Sequence, residues 1–215
     1  MKKLGMKIFA FAMIVFCLIG DCAASILIPT PPDGGKEIAY KNIDRDFLGV
    51  SSNSELTVTE PHLEYGIGLT NVASGQLLSA AGPYGWRYMV YQGTNFIGVS
   101  ELTLQGPNGE VVESKSLQQA DQTFNIALGI AQKLPQVEKA DYELRYIEIP
   151  AMSLSFLWLH GKSDDIIIPL KPTYGLCNPY QVYSNTELIK LLEPEAKREL
   201  DQYLKLEEKE KARKF

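Results

Sequence analysis

The feature that most constrains this chain is one helical stripe set between two groups of strand-like runs. Leu117, Ala120, Phe124, Ala127, Leu128, Ala131 and Leu134 recur at helical spacing. Ser116 and Gln119 precede most of the stripe in the capping-box pattern. Lys133 falls in its last turn and Pro135 ends it. A helix with a single apolar stripe must bury it against another layer, and the flanking sequence offers a sheet.

Before the helix, Trp86, Tyr88 and Val90 alternate with Arg87, Met89 and Tyr91. Residues 92–95 read as a turn and 96–104 as a second strand rich in β-formers. The Asn108-Gly109 step is a strong hairpin signal and leads into Val111-Val112. Three antiparallel strands are therefore expected. After the helix, residues 142–149 form a strand, Pro150 interrupts, and 151–160 resume. A turn at 161–165 then returns the chain through Ile166-Ile167-Ile168. Met152, Leu154, Phe156, Trp158 and His160 share one face. Leu157 and Leu159 make the end of that strand apolar on the other face too, which predicts cover from both sides.

The expected fold is α+β: an antiparallel sheet of about five or six strands packed on one central helix, with a C-terminal helical extension. In order of elements this is similar to cystatin-like and PepSY-like secreted domains. The similarity is one of arrangement, with no motif of either family present.

The ends add to this core, which is expected over residues 38–185. Residues 25–37 carry Pro29, Pro31, Pro32, Gly34 and Gly35 and read as an extended linker. Within 38–85 only residues 55–59 alternate like a strand. At the far end, residues 186–215 are predicted to be a charged helical segment. Ser184 and Glu187 form a second capping box, and Pro194 suits the first turn of a new helix. Past Leu206 the residues are almost all Glu, Lys or Arg.

Residues 1–24 read as a cleavable bacterial secretory signal peptide. Lys2, Lys3 and Lys7 precede an apolar run at 8–19, and Cys22-Ala23-Ala24 supplies small residues for a cut before Ser25. The run is shorter than the ~20 residues that a membrane-crossing helix needs. Lipid anchoring would need a cysteine directly after a small residue. Cys22 follows Asp21 and Cys17 follows Phe16, so a soluble periplasmic or secreted product is expected, with a lipid-anchored one as the less favoured alternative. Cleavage removes three lysines and one aspartate, so the net charge of −5 becomes −7, from 18 basic and 25 acidic residues. An acidic chain of this kind lacks the basic stripe that nucleic acid or anionic lipid attracts. Cys177 becomes the single thiol, which rules out an internal disulfide.

Candidate chemistry is thin. The histidines are His62 and His160. A hydrolase would use Cys177 as nucleophile with one of them as base, or a metal at His160 with Asp164 and Asp165. His62 and Glu64 stand on alternate positions and could flank a site. Cys177 lacks a following helix start to activate it, and Ser163 and Ser114 lie in no nucleophile motif. Glu143 and Glu148 offer carboxylates without a fixed partner. Gly66-x-Gly68 and Gly82-x-x-Gly85 read as turns, not phosphate loops. Tyr84, Trp86, Tyr88, Tyr91, Phe96, Tyr174, Tyr180 and Tyr183 are the one positive hint, since exposed aromatics suit recognition of peptides or sugars. The expectation is a non-catalytic binding or structural module. Its partner would be an envelope or extracellular protein or a wall component. No cofactor, metal or catalytic residue is assigned. The small hydrolase is the alternative.

Overall fold

A computed structural model describes residues 25–105, 110–117 and 122–213. The signal-peptide reading, the Asn108-Gly109 turn and Ala120 fall outside the described residues. The protein is α+β, with a large mixed sheet and a long C-terminal helix.

Among the described residues nine strands take part: β1 (Ile26–Leu27), β2 (Thr57–Val58), β3 (His62–Gly66), β4 (Gly82–Gln92), β5 (Asn95–Gln105), β6 (Glu110–Leu117), β7 (Tyr142–Ile149), β8 (Leu154–Gly161) and β9 (Asp165–Pro169). The main path runs β6-β5-β4-β3-β7-β8-β9, with β1 added on β7 and β2 on β4. The α-helices among the described residues are α1 (Gly35–Lys41), α2 (Leu69–Ala73), α3 (Gln122–Ala131) and α4 (Asn185–Arg213).

The expected β4–β5–β6 meander and the β7–β8–β9 meander both form. The sheet is larger than expected and is not purely antiparallel. Strand β3 joins the two meanders, antiparallel to β4 and parallel to β7. Strand β1 also runs parallel to β7. Residues 25–37 are thus tied to the sheet at Ile26–Leu27, and Gly35 already opens α1.

Two further expectations are corrected. Ser116 and Leu117 belong to β6, where they pair with Ser100 and Val99, so the apparent capping box is spent in a strand ladder. The described part of helix α3 is Gln122–Ala131, and Phe124, Ala127 and Ala131 of the stripe are buried. Pro194 does not begin a new helix, because α4 runs through it over 29 residues. The Ser184 box does form: the Ser184 hydroxyl accepts from the Glu187 amide at 3.2 Å, and Glu187 accepts from the Ser184 amide at 2.9 Å.

Strand alternation divides the core. Tyr142, Leu144, Tyr146, Leu157, Leu159 and Ile168 face α3. Ile147, Ile149, Phe156, Trp158 and Ile167 face the opposite way, against Leu188, Leu192 and Ala196 of α4. On that second face, Trp86, Tyr88 and Val90 of β4 pack with Ala39 of α1. Strand β8 is covered on both sides, as its apolar end predicted. Helix α1 is pinned by the buried Ser100 hydroxyl, which donates to the Ala39 carbonyl at 3.0 Å.

Candidate binding groove and buried charge cluster

The residues singled out for hydrolysis do not assemble. Cys177 is buried on the α4 side among Leu188, Leu192 and Ile167, and burial pushes its thiol up to about 11. A thiol held protonated at neutral pH is a poor nucleophile. His62 is only 2% exposed on β3 and stacks on Phe124 of α3, with ring centroids 4.6 Å apart. That places it on the face opposite Cys177. Burial, then the Arg87 charge, lowers its pKa to about 3, so it stays neutral. Among the described residues no hydrogen bond joins Cys177 to a histidine.

His160 does meet Asp165. Its Nδ1 lies 2.8 Å from Asp165 Oδ1, and Trp158 Nε1 donates to the same oxygen at 2.7 Å. The sheet register makes Glu143, His160 and Asp165 cross-strand neighbours. Glu143 instead accepts from Arg145 Nε at 2.7 Å, and the Arg145 guanidinium lies over the Tyr65 and Trp158 rings. Asp164 accepts from the Tyr142 hydroxyl at 2.9 Å. The expected His160–Asp164–Asp165 triplet is therefore split by the turn. Among the described residues no group of three or more His, Cys, Asp or Glu side chains is placed to hold a metal ion.

His62 and Glu64 share one face of β3, as their spacing suggested, but they enter a buried charge cluster. Arg87 of β4 reaches Glu64 at 2.6 Å and also pairs with Glu101 of β5. Its guanidinium sits 4.2 Å from the centre of the Tyr146 ring. Nearby, the Tyr84 hydroxyl donates to Glu148 at 2.7 Å. Two carboxyl groups thus share one guanidinium, with Glu64 fully buried and Glu101 partly so. Burial outweighs the Arg87 charge at Glu64, which is 1% exposed, and raises its pKa to about 8. Gly85 makes room for this carboxylate, since a Cβ there would stand 2.9 Å from Glu64 Oε2. Arg87 and Glu101 had only one signal in the sequence: a charge inside a strand pattern, where a buried side chain must find a partner.

The glycine pairs also resolve. Gly82 and Gly85 lie within β4 and form no turn. Gly66 and Gly68 link β3 to α2, a helix of only five residues.

The aromatic hint narrows to one side chain. Trp86, Tyr88 and Tyr183 are core, and Tyr84, Tyr91, Phe96 and Tyr180 are half-buried. Tyr174 is 65% exposed. It borders an open groove of about 410 Å3 between the turn at Pro150–Met152, the 171–177 loop and α4. Met152 and Leu176 supply apolar lining, and Ser153, Glu195 and Glu199 complete the walls. Arg198 pairs with both glutamates and holds the Glu195 carboxyl below its usual range. Two groove residues have left-handed backbones without being glycine: Ser153 at φ 52° and Tyr174 at φ 51°. Such a conformation costs of order 1–3 kcal/mol and collects at ligand sites. A second open cleft, of about 460 Å3, lies between α1 and β2 and is lined by Lys36, Glu37, Tyr40 and Lys41.

The chain matches no family model, no curated protein and no solved structure.

Proposed function

We propose that this is an exported bacterial protein whose mature part, from Ser25, is a non-catalytic binding module of the periplasm or secreted fraction. Its ligand face is the Tyr174 groove, and its partner is an envelope or extracellular protein or a wall component. The observation that carries this reading is the pair of strained non-glycine residues, Ser153 and Tyr174, on one open groove that also holds the one strongly exposed member of the aromatic set. An exposed ring beside apolar floor residues, with Glu195 and Glu199 sharing Arg198 and so keeping one net negative charge, suits a segment that presents a cationic group next to an apolar one. The engagement of Cys177, His62 and Glu64 in the packed interior also favours binding over catalysis.

The hydrolytic reading retains one supporting feature, the His160–Asp165 pair at 2.8 Å, which is how a general base is oriented.

One experiment separates the two. Mature protein is used to capture partners from the envelope fraction, beside Tyr174→Asn and His160→Ala variants. Asn tolerates the left-handed backbone, so the first variant removes the ring and keeps the loop. Tyr174→Asn is expected to lower recovery of a stoichiometric partner at least tenfold at unchanged melting temperature, while His160→Ala leaves it unaltered. Equal recovery by Tyr174→Asn would remove the groove from the proposal.

A further inference from the structure

Ser25 opens the described fold at a carboxylate. Its backbone nitrogen donates to Asp141 Oδ1 at 2.8 Å, and its hydroxyl lies 3.4 Å from the same oxygen. Its carbonyl accepts from the Tyr142 amide at 3.1 Å. The chain then continues as β1, with Ile26 opposite Tyr142 and Leu27 opposite Glu143, and Ile26 packs against the α3-side core. Asp141 immediately precedes β7, so it stands where the first nitrogen of β1 must arrive.

That nitrogen belongs to the bond singled out on separate grounds. Cys22-Ala23-Ala24 places a signal-peptidase cut between Ala24 and Ser25. Hydrolysis adds water across this peptide bond. The carboxylate stays on Ala24, and the released amine on Ser25 takes up a proton at neutral pH. A neutral N–H donor thereby becomes an ammonium, and a hydrogen bond to a carboxylate becomes a charge-assisted one.

The geometry points to Asp141 as the receptor for the N-terminus that processing creates: the cut at Ala24–Ser25 turns on an ion pair that seats β1 on β7. The inference rests on the export reading above. It adds to it a site on the folded protein and a consequence of cleavage for the sheet. Both groups are exposed, so the effect is modest, as for other surface ion pairs.

The test has two arms. N-terminal sequencing of the exported protein reads the cut. The α-amine of the processed chain, with Ser25 first, is then titrated by NMR in wild type and in Asp141→Asn. Free α-amines titrate near ~7.7–8.0, and a facing carboxylate favours the charged form. The wild-type amine is expected to titrate roughly 0.3–0.7 unit above the variant, about two- to fivefold tighter proton binding. A chain that retains Ala24 moves its amine one residue away, and the difference between wild type and Asp141→Asn is expected to vanish there. A first residue other than Ser25 overturns the cleavage site and the inference with it. A first residue of Ser25 with equal titration in wild type and Asp141→Asn overturns the capture and leaves the export reading standing.

Discussion

Glu64 and His62 lie two residues apart on one face of β3, and burial moves them in opposite directions. Glu64 rises from 4.5 to about 8, so the folded state holds a proton that the unfolded chain has released. Stability from this group is therefore lost as pH rises from 4.5 through about 8. His62 falls from 6.5 to about 3, so the unfolded chain binds a proton that the folded state refuses. Stability from this group is lost as pH falls from 6.5 through about 3. Between pH 4.5 and 6.5 the two slopes oppose each other. Between 6.5 and 8 Glu64 acts alone, so urea midpoints are expected to fall over that interval. Glu64→Gln is expected to flatten the fall while leaving the acid limb below pH 4.5 in place. Midpoints that rise from pH 6.5 to 8 in the wild type would contradict this assignment. Single residues are partly legible in the sequence. The alternate placing of His62 and Glu64 was readable, but their guanidinium partner comes from β4, and nothing in the spacing names it.

At the scale of elements, docking contacts decide what local pattern leaves open. Helix α1 (Gly35–Lys41) begins inside residues 25–37, whose Pro and Gly content suggests only an extended link, and runs past its end. It forms because Ala39 has a surface to pack on, with Trp86, Tyr88 and Val90. Its first residue must be glycine for a steric reason, since a Cβ on Gly35 would stand 2.5 Å from the Tyr88 hydroxyl and 3.0 Å from Pro32. That hydroxyl is buried and has no hydrogen-bond partner among the described residues. Gly35→Ala is expected to destabilise by about 1–3 kcal/mol through overpacking. Tyr88→Phe removes the clashing oxygen and a buried unpaired group, so alone it is expected to be neutral or mildly stabilising. In the Tyr88→Phe background the Gly35→Ala penalty should shrink by more than half, read as melting temperatures in a double-mutant cycle. Additive effects would show that the hydroxyl is not what fixes the glycine. The two capping boxes make the same point. Ser184–Glu187 closes because α4 begins there, whereas Ser116 stands opposite Ser100 in the sheet and is used as a strand residue.

Across the whole molecule, the sheet is covered on both faces and the helices are unequal in what they bury. The first half of α4 buries Leu188, Leu192 and Ala196, chiefly where it meets α2, while Tyr203, Leu204 and Leu206 remain exposed. Deleting residues 205–215 is therefore expected to change stability by no more than about 0.5 kcal/mol, as for surface changes that remove no buried contact. A larger loss in chemical denaturation would mean that the end of α4 packs on something in solution. Local pattern suffices for the two meanders, the helix between them, the two-sided cover of β8 and the capped start of the C-terminal helix. Each follows from periodicities or end signals within about a dozen neighbouring residues. Long-range packing decided that the sheet is mixed, that β1 and β3 run parallel to β7, that Ser116 is strand and that Pro194 lies inside one helix. It also decided which charges meet at Arg87 and which aromatic ring stays in water. These outcomes depend on partners far away in the chain, such as Leu63 with Arg145 or Ser25 with Asp141. Pairing at that range is selected by buried area and satisfied hydrogen bonds in the assembled sheet, and no local pattern carries that information.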